Sequence, residues 1–331
     1  MIRHGEGIYG NAVGVTTPLE HRLAQAGQVV KTGVNTIRPG LFWDGSATVV
    51  SGTASMAYSV RAFTAALSRG ATDGAVFLAN DGAVTVTTTA APGSNSRIDI
   101  IYVWQRDYAA DGTNSDPVIG VVQGTAAASP TAPSLAAFPG AVELGRATVS
   151  AGATATNGAG VTISQTAPFT AMAGGIVAAR TATERDGYVP ASADLTAKCW
   201  VIADGITYRW SGAAWRAWES DWFSATPLVT AQSGSFVSVN ASLRWKYSAG
   251  VVVYLISITV GSAGTASGNI TVAMPFTAAF TAAAGGMNQS TGTSIWGVIF
   301  SGESVLRINS YNNSGAIGTG NLLQASGIAL V

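Results

Sequence analysis

One residue in ten is charged in this chain, against about one in four in an ordinary soluble domain. That shortage limits what the chain can fold into. Hydrophobic residues make up 47% and the mean hydropathy is +0.31. Disordered chains are charged and poor in apolar residues, so disorder is excluded. The polar surface has to come from Ser, Thr, Asn and Gly, and the 40 glycines suit many tight turns between short strands. Part of each surface can also be hidden against another copy, because obligate homo-oligomer interfaces resemble a core cut in half. At 331 residues there is room for two or three domains, each burying its own core.

The same arithmetic removes whole classes of function. Seventeen basic and 17 acidic residues balance, with no Lys/Arg block to displace counterions, so nucleic acid is not a partner. The longest apolar run covers residues 251–256, far short of the roughly 20 residues a spanning helix needs. An outer-membrane barrel gives weaker signals, but the first seven residues carry no apolar segment of an export signal. Membrane insertion is not expected, and synthesis in a cytosol is. Cys199 is the only cysteine, so neither an intrachain disulfide nor a Cys-based metal cluster can form.

Read along the chain, residues 1–38 form a glycine-rich N-terminal arm with a short helix over 19–28. From Pro39 the pattern turns to β-branched segments bounded by Gly, Asp or Asn: 47–50, 75–78, 84–87, 97–104, 117–124 and 142–149. Asn80-Asp81-Gly82 reads as the hairpin turn joining two of them, and 59–68 as a helix with Val60, Phe63 and Leu67 on one stripe. Residues 97–104 are apolar on both faces and belong in the centre of a sheet. Residues 126–139, with Pro130, Pro133 and Pro139, form an extended strap. The strand pattern lapses between 167 and 179, where a boundary is placed. Five of the nine Trp lie in the stretch Trp200 to Trp222, four of them in three short strands; they either fill a small core or line a sugar groove. The final region alternates at the spacing of a sandwich or jelly roll. The expected fold is therefore all-β: an arm (1–38), a β-rich domain (39–165), a small Trp-rich β connector (176–220) and a β-sandwich or jelly-roll head (221–331).

Catalytic and cofactor motifs fail on their context. Gly5-Glu6-Gly7-Ile8-Tyr9-Gly10 matches G-x-G-x-x-G, but four residues cannot supply the strand that must precede it. His4 and His21 have no i, i+4 partner, and no Gly-x-Ser-x-Gly elbow exists. The acidic loop 111–116 has glycine at its second position and no glutamate at the twelfth, unlike a calcium loop. After Asp221 the one remaining acid is Glu303, so the terminal region cannot supply the facing carboxylates of a glycosidase. No catalytic residue, cofactor or metal ligand is assigned. The candidate binding residues are Trp296, Asn309, Tyr311, Asn312 and Asn313, in polar-aromatic loops of the kind that hold neutral sugars. The alternative is that Trp296 is core and 312–315 a turn.

Three passages together resemble tail proteins of long-tailed bacteriophages, particularly receptor-binding or minor tail proteins of phages of actinobacteria. The first runs from Gly40-Leu41-Phe42-Trp43 through Arg97-Ile98-Asp99-Ile100-Ile101-Tyr102-Val103 to the Ser129-Pro130-Thr131-Ala132-Pro133 strap. The second is Thr183-Glu184-Arg185-Asp186 with Tyr208-Arg209-Trp210-Ser211-Gly212, similar to connector modules of tail fibres. The third is Leu243-Arg244-Trp245-Lys246-Tyr247 with Gly264-Thr265-Ala266-Ser267-Gly268, similar to a terminal head domain. The resemblance implies a virion protein at the tail tip, made in the host cytoplasm and forming a homo-oligomer, a trimer by family habit. It implies that residues 1–165 attach to other tail-tip proteins and that the head binds a host cell-surface glycan. A purely structural tail or baseplate subunit, or a polysaccharide-degrading tail enzyme, are the alternatives. No heptad stalk is present, so trimerisation would rest on sheet contacts.

Overall fold

A computed structural model describes residues 17–33, 36–112, 114–190, 194–311 and 315–331. The fold is all-β, with 48% strand and 7% helix. Two compact units divide it. The first takes residues up to 203 plus 210–214, and the second takes 204–209 plus 215–331. The division falls inside the stretch 176–220 set apart above as a connector.

In the first unit, helix α1 (Pro18–Gln25) starts where sequence chemistry dictates. Thr17 caps the Glu20 amide, Glu20 reaches back to the Thr17 amide, and Pro18 occupies the first turn. The described part of the expected arm is not loose, because Val29, Val30 and Ile37 are buried. The strands are β1 (Gly40–Phe42), β2 (Val50–Gly52), β3 (Ala57–Val60), β4 (Phe63–Leu67), β5 (Val76–Asn80), β6 (Val84–Thr87) and β7 (Arg97–Gln105). After the short helix α2 (Tyr108–Asp111) come β8 (Pro117–Gln123), β9 (Val142–Val149), β10 (Val161–Gln165), β11 (Phe169–Thr170) and β12 (Ile176–Ala179). Helix α3 (Ala182–Asp186) and β13 (Lys198–Val201) follow. Three small sheets result, with orders β11-β1-β4-β5, β10-β9-β7-β8 and β2-β3-β6. They enclose one core containing Leu41, Tyr58, Phe63, Ile101, Leu144 and Phe169.

Three local expectations fail here. Residues 59–68 form β3 and β4 rather than a helix. Tyr58 and Val60 face the core at a period of two, as do Phe63, Ala65 and Leu67, and that burial outweighs the helical stripe. Asn80-Asp81-Gly82 does not close a hairpin, because β5 pairs with β4 while β6 pairs with β3 in another sheet. The expected boundary between 167 and 179 carries β11, which pairs in parallel with β1 (Leu41 opposite Phe169). Trp43 binds this region edge-on, with ring centroids 5.1 Å from Phe169 and 5.6 Å from Trp200. Central placement of β7, between β8 and β9, agrees with its two apolar faces.

The sheets that contain β7 and β3 are joined by a buried polar cluster. Arg97 Nε donates to Asp99 Oδ1 at 2.8 Å, while Tyr58 and Thr88 hydroxyls donate to Asp99 Oδ2 at 2.9 and 2.7 Å. Arg97 also donates to the Thr89 and Ala90 carbonyls, so the pair is buried with its hydrogen-bonding groups engaged.

The second unit contains β14 (Ile206–Trp210, whose last residue belongs to the first unit), β15 (Trp215–Ser220), β16 (Phe223–Ala225), β17 (Val229–Ser233), β18 (Ser238–Ser248) and β19 (Val251–Ser262). It continues with β20 (Ser267–Ala273), β21 (Ala282–Asn288), β22 (Thr293–Ile299), β23 (Val305–Ser310) and β24 (Leu322–Leu330). One antiparallel sheet runs β18-β19-β24-β21-β22-β23-β20-β17, with β15 and β16 both pairing β18. It curls so that one face closes on a single core. In β19 the inward face is Val252, Tyr254, Ile256, Ile258 and Val260, all buried, while Leu255 on the other face is exposed. The Trp residues at the start of this unit are taken up locally. Arg209 stacks on Trp218 at 4.8 Å, and Arg244 and Lys246 on Trp222 at 5.4 and 5.3 Å.

Candidate functional site

At one end of the curled sheet, the β21–β22 hairpin, the end of β23 and the segment before β24 surround a cavity of about 450 Å³. Concave sites with a few placed polar groups are where small ligands bind. The hairpin tip is held by its own chemistry. The Asn288 side chain, buried, accepts from the Ser290 amide at 3.1 Å, and its carbonyl accepts from the Gly292 amide at 2.8 Å. Gly292 has φ of +72°, a left-handed conformation that disfavours side chains. Ser290 then clips the tip to the next segment, donating to the Gly320 carbonyl and accepting from the Leu322 amide, both at 3.0 Å. Asn321 donates to the Ala316 carbonyl at 3.0 Å and fixes the far wall.

The lining is neutral and polar. Asn288, Thr291, Thr293, Ser310 and Asn321 supply amides and hydroxyls, Ile295 and Ala316 apolar floor, and Tyr311 an aromatic ring. Thr291 and Thr293 hydroxyls are 2.7 Å apart. No carboxylate, imidazole or amine is among the described residues that line it. This arrangement can hydrogen-bond a neutral polyhydroxyl ligand and stack one ring against it.

The five candidates from the sequence separate. Tyr311 is 81% exposed at the cavity, its amide donating to the Ser294 carbonyl at 3.0 Å. Trp296 is not in a loop but in β22, on the outer face, directly opposite Asn309 of β23. Segment 293–296 forms a strand because Ile295 and Gly297 face the core, which sends Trp296 outward. Trp296 is 36% exposed; Asn309 is 9% exposed, and its Oδ1 has no hydrogen-bond partner among the described residues. Asn309 therefore does not line the mouth. Asn312 and Asn313 lie outside the described residues. Sequence reading missed Asn288, Thr291 and Asn321, although the turn sequence Asn288-Gln289-Ser290-Thr291-Gly292 carries the signal of a polar hairpin tip.

A larger cavity of about 820 Å³ lies in the first unit, between α1, the ends of β4 and β5, and α2. Ion pairs brace it. Arg22 meets Asp107 at 3.0 Å and donates to the Asp73 carbonyl at 3.1 Å, and Arg69 forks onto both oxygens of Asp111 at 2.8 Å. The Arg69 hydrogen bonds, with help from the Asp107 amide, hold the Asp111 carboxyl below the usual carboxylate range. Phe77 and Tyr108 present exposed rings beside these charges.

Among the described residues, no group of three or more His, Cys, Asp or Glu could hold a metal ion, and no helix is long and apolar enough to cross a membrane. No protein-family model matches the chain, and no curated protein matches it. One solved structure, the Dettilon tailspike protein, is similar with TM-score 0.27 and 12% identity, over 33% of this chain and 24% of that one. The matched part thus spans about a quarter of the tailspike chain.

Proposed function

We propose that this chain is a bacteriophage tail protein whose C-terminal unit binds a neutral host-surface glycan at the mouth of its curled sheet. The observation that carries the binding reading is the cavity lined by Asn288, Thr291, Thr293, Ser310, Asn321 and Tyr311, with no carboxylate, imidazole or amine among the described residues that line it. The tail setting rests on the passages of sequence that resemble phage tail proteins. Low charge, with Glu303 the one acid after Asp221, favours binding over catalysis in the terminal region. Residues 1–165 serve for attachment to other tail-tip proteins, and several copies displayed together turn weak single-site affinity into firm adhesion.

The test is binding of the full chain to host cells and to a glycan array. Tyr311→Ala and Thr293→Ala should each reduce binding while leaving the unfolding transition in place. Unchanged binding in both variants would remove the mouth from the reading. Shortening of host polysaccharide by the purified chain would replace it with an enzyme.

A further inference from the structure

Cross-strand register gathers exposed apolar side chains of the second unit on its outer face. Cross-strand partners point to the same side of a sheet. One row runs Arg244, Leu255, Ser326, Gly285, Trp296, Asn309 across six strands. A neighbouring row runs Lys246, Val253, Ile328, and the next Ser248, Val251, Leu330. The side chains Leu255, Met287, Trp296, Phe300, Ile328 and Leu330 are 36–60% exposed. At about 200 Å² for a large apolar side chain, the six present on the order of 550 Å². A stable interface takes about 800 Å² from each partner, of which roughly 65% is apolar in homodimers, about 520 Å². The half-buried Val251 and Val253 add to the patch.

The charge pattern suits a second copy of the same chain. The chain is neutral overall, so copies do not repel. After Asp221 the one acid is Glu303, which is paired with Arg307, and Arg244 and Lys246 are stacked on Trp222 at the edge of the patch. Shape fits as well. Gly285 and Ser326 floor a trough of about 410 Å³ beside Leu255, where a Cβ on Gly285 would meet nothing within 4 Å. Ile328 and Leu330 stand in the adjoining rows as a ridge that one copy can lay into the trough of another.

We infer that copies of this chain associate through the outer face of β19, β24, β21 and β22, with Leu255, Trp296 and Ile328 at the centre of the contact. This stands apart from the glycan reading, since it concerns the outer face and not the mouth. The measurement is light scattering of the full chain over a wide dilution series. The wild-type mass should be a multiple of 33.4 kDa. Leu255→Lys combined with Ile328→Lys should bring it to the single-chain value, a twofold or greater fall, with the circular dichroism unchanged. Val237→Lys, at an exposed apolar position away from these rows, should leave the multiple intact. Should the double variant misfold, Ser326→Cys gives a reading without disturbing the apolar contact. Cys199 is buried, so the new thiol alone reacts with a flexible bis-maleimide, and covalent multimers should form. A wild-type chain that is a single copy throughout, a folded double variant that keeps its mass, or a Ser326→Cys chain that never cross-links would each overturn the inference.

Discussion

Replacing Tyr254 by Phe should stabilise the second unit, and by an amount that grows with pH. Tyr254 is fully buried on the inner face of β19, and its hydroxyl has no hydrogen-bond partner among the described residues. The ring lies 5.7 Å from that of Phe276 and opposite Gly327, where an added Cβ would stand 2.4 Å from the hydroxyl. An unmet buried hydroxyl costs about 1–3 kcal/mol, and Phe keeps the ring while removing that cost. The variant should therefore be about 1–2 kcal/mol more stable near neutral pH. Burial also pushes the Tyr254 phenol from its ordinary 10 up to about 12. With the folded value raised, the folded chain keeps its proton while the unfolded chain releases it. Wild-type stability from this group is complete below pH 10 and is lost as pH rises toward 12. Two units amount to roughly 2.7 kcal/mol, and the Phe variant escapes this loss. Tyr188, also raised to about 12 by burial, is present in both chains and cancels. Denaturant unfolding of both chains at neutral and alkaline pH reads the gap. A Phe variant less stable than wild type at neutral pH, or a gap that stays constant up to the alkaline limit, would refute the reasoning.

Other outcomes follow from the same contacts. Asp99→Asn should destabilise the first unit by about 3–5 kcal/mol, seen in chemical unfolding, because it leaves the buried Arg97 guanidinium uncompensated. Gly327→Ala should cost about 1–3 kcal/mol by pressing a methyl onto the Tyr254 hydroxyl, with part of the loss recovered in combination with Tyr254→Phe. For Asp111 the folded pKa is lowered, so its link to Arg69 is present above the ordinary carboxylate range and is lost as pH falls through the lowered value. Arg69→Met should move the Asp111 titration upward, as followed by NMR. Tyr311→Ala should shift thermal stability by less than about 0.5 kcal/mol, since exposed surface residues carry little of it.

Much of the second unit was legible because its strands are half-buried. In 251–260 the large side chains recur every second residue, and the structure buries that face and leaves Leu255 on the other. Strand β21 was not legible. Ala282-Ala283-Ala284-Gly285-Gly286 has no large side chain to mark a face, and it is a strand because β22 and β24 pair with it on both sides. The helix expected over 59–68 failed for a related reason: Val60, Phe63 and Leu67 satisfy a helical stripe and two short strands equally, and only the neighbouring sheets choose. Of the binding candidates, Tyr311 sits at the mouth, while Trp296 points to the outer face because Ile295 and Gly297 take the inner one.

By itself the amino-acid sequence determined the class of structure. Few charges, many glycines and period-two apolar residues leave short strands and tight turns as the way to bury this chain, and one cysteine leaves packing to hold it. Which strands became neighbours was decided by tertiary structure alone. Strand alternation says which residues share a face, but only long-range pairing says whether that face meets a core, a cavity or water. That is why Asn288 and Asn321, 33 positions apart by number, meet at one mouth while Trp296 and Tyr311, close in sequence, serve different surfaces.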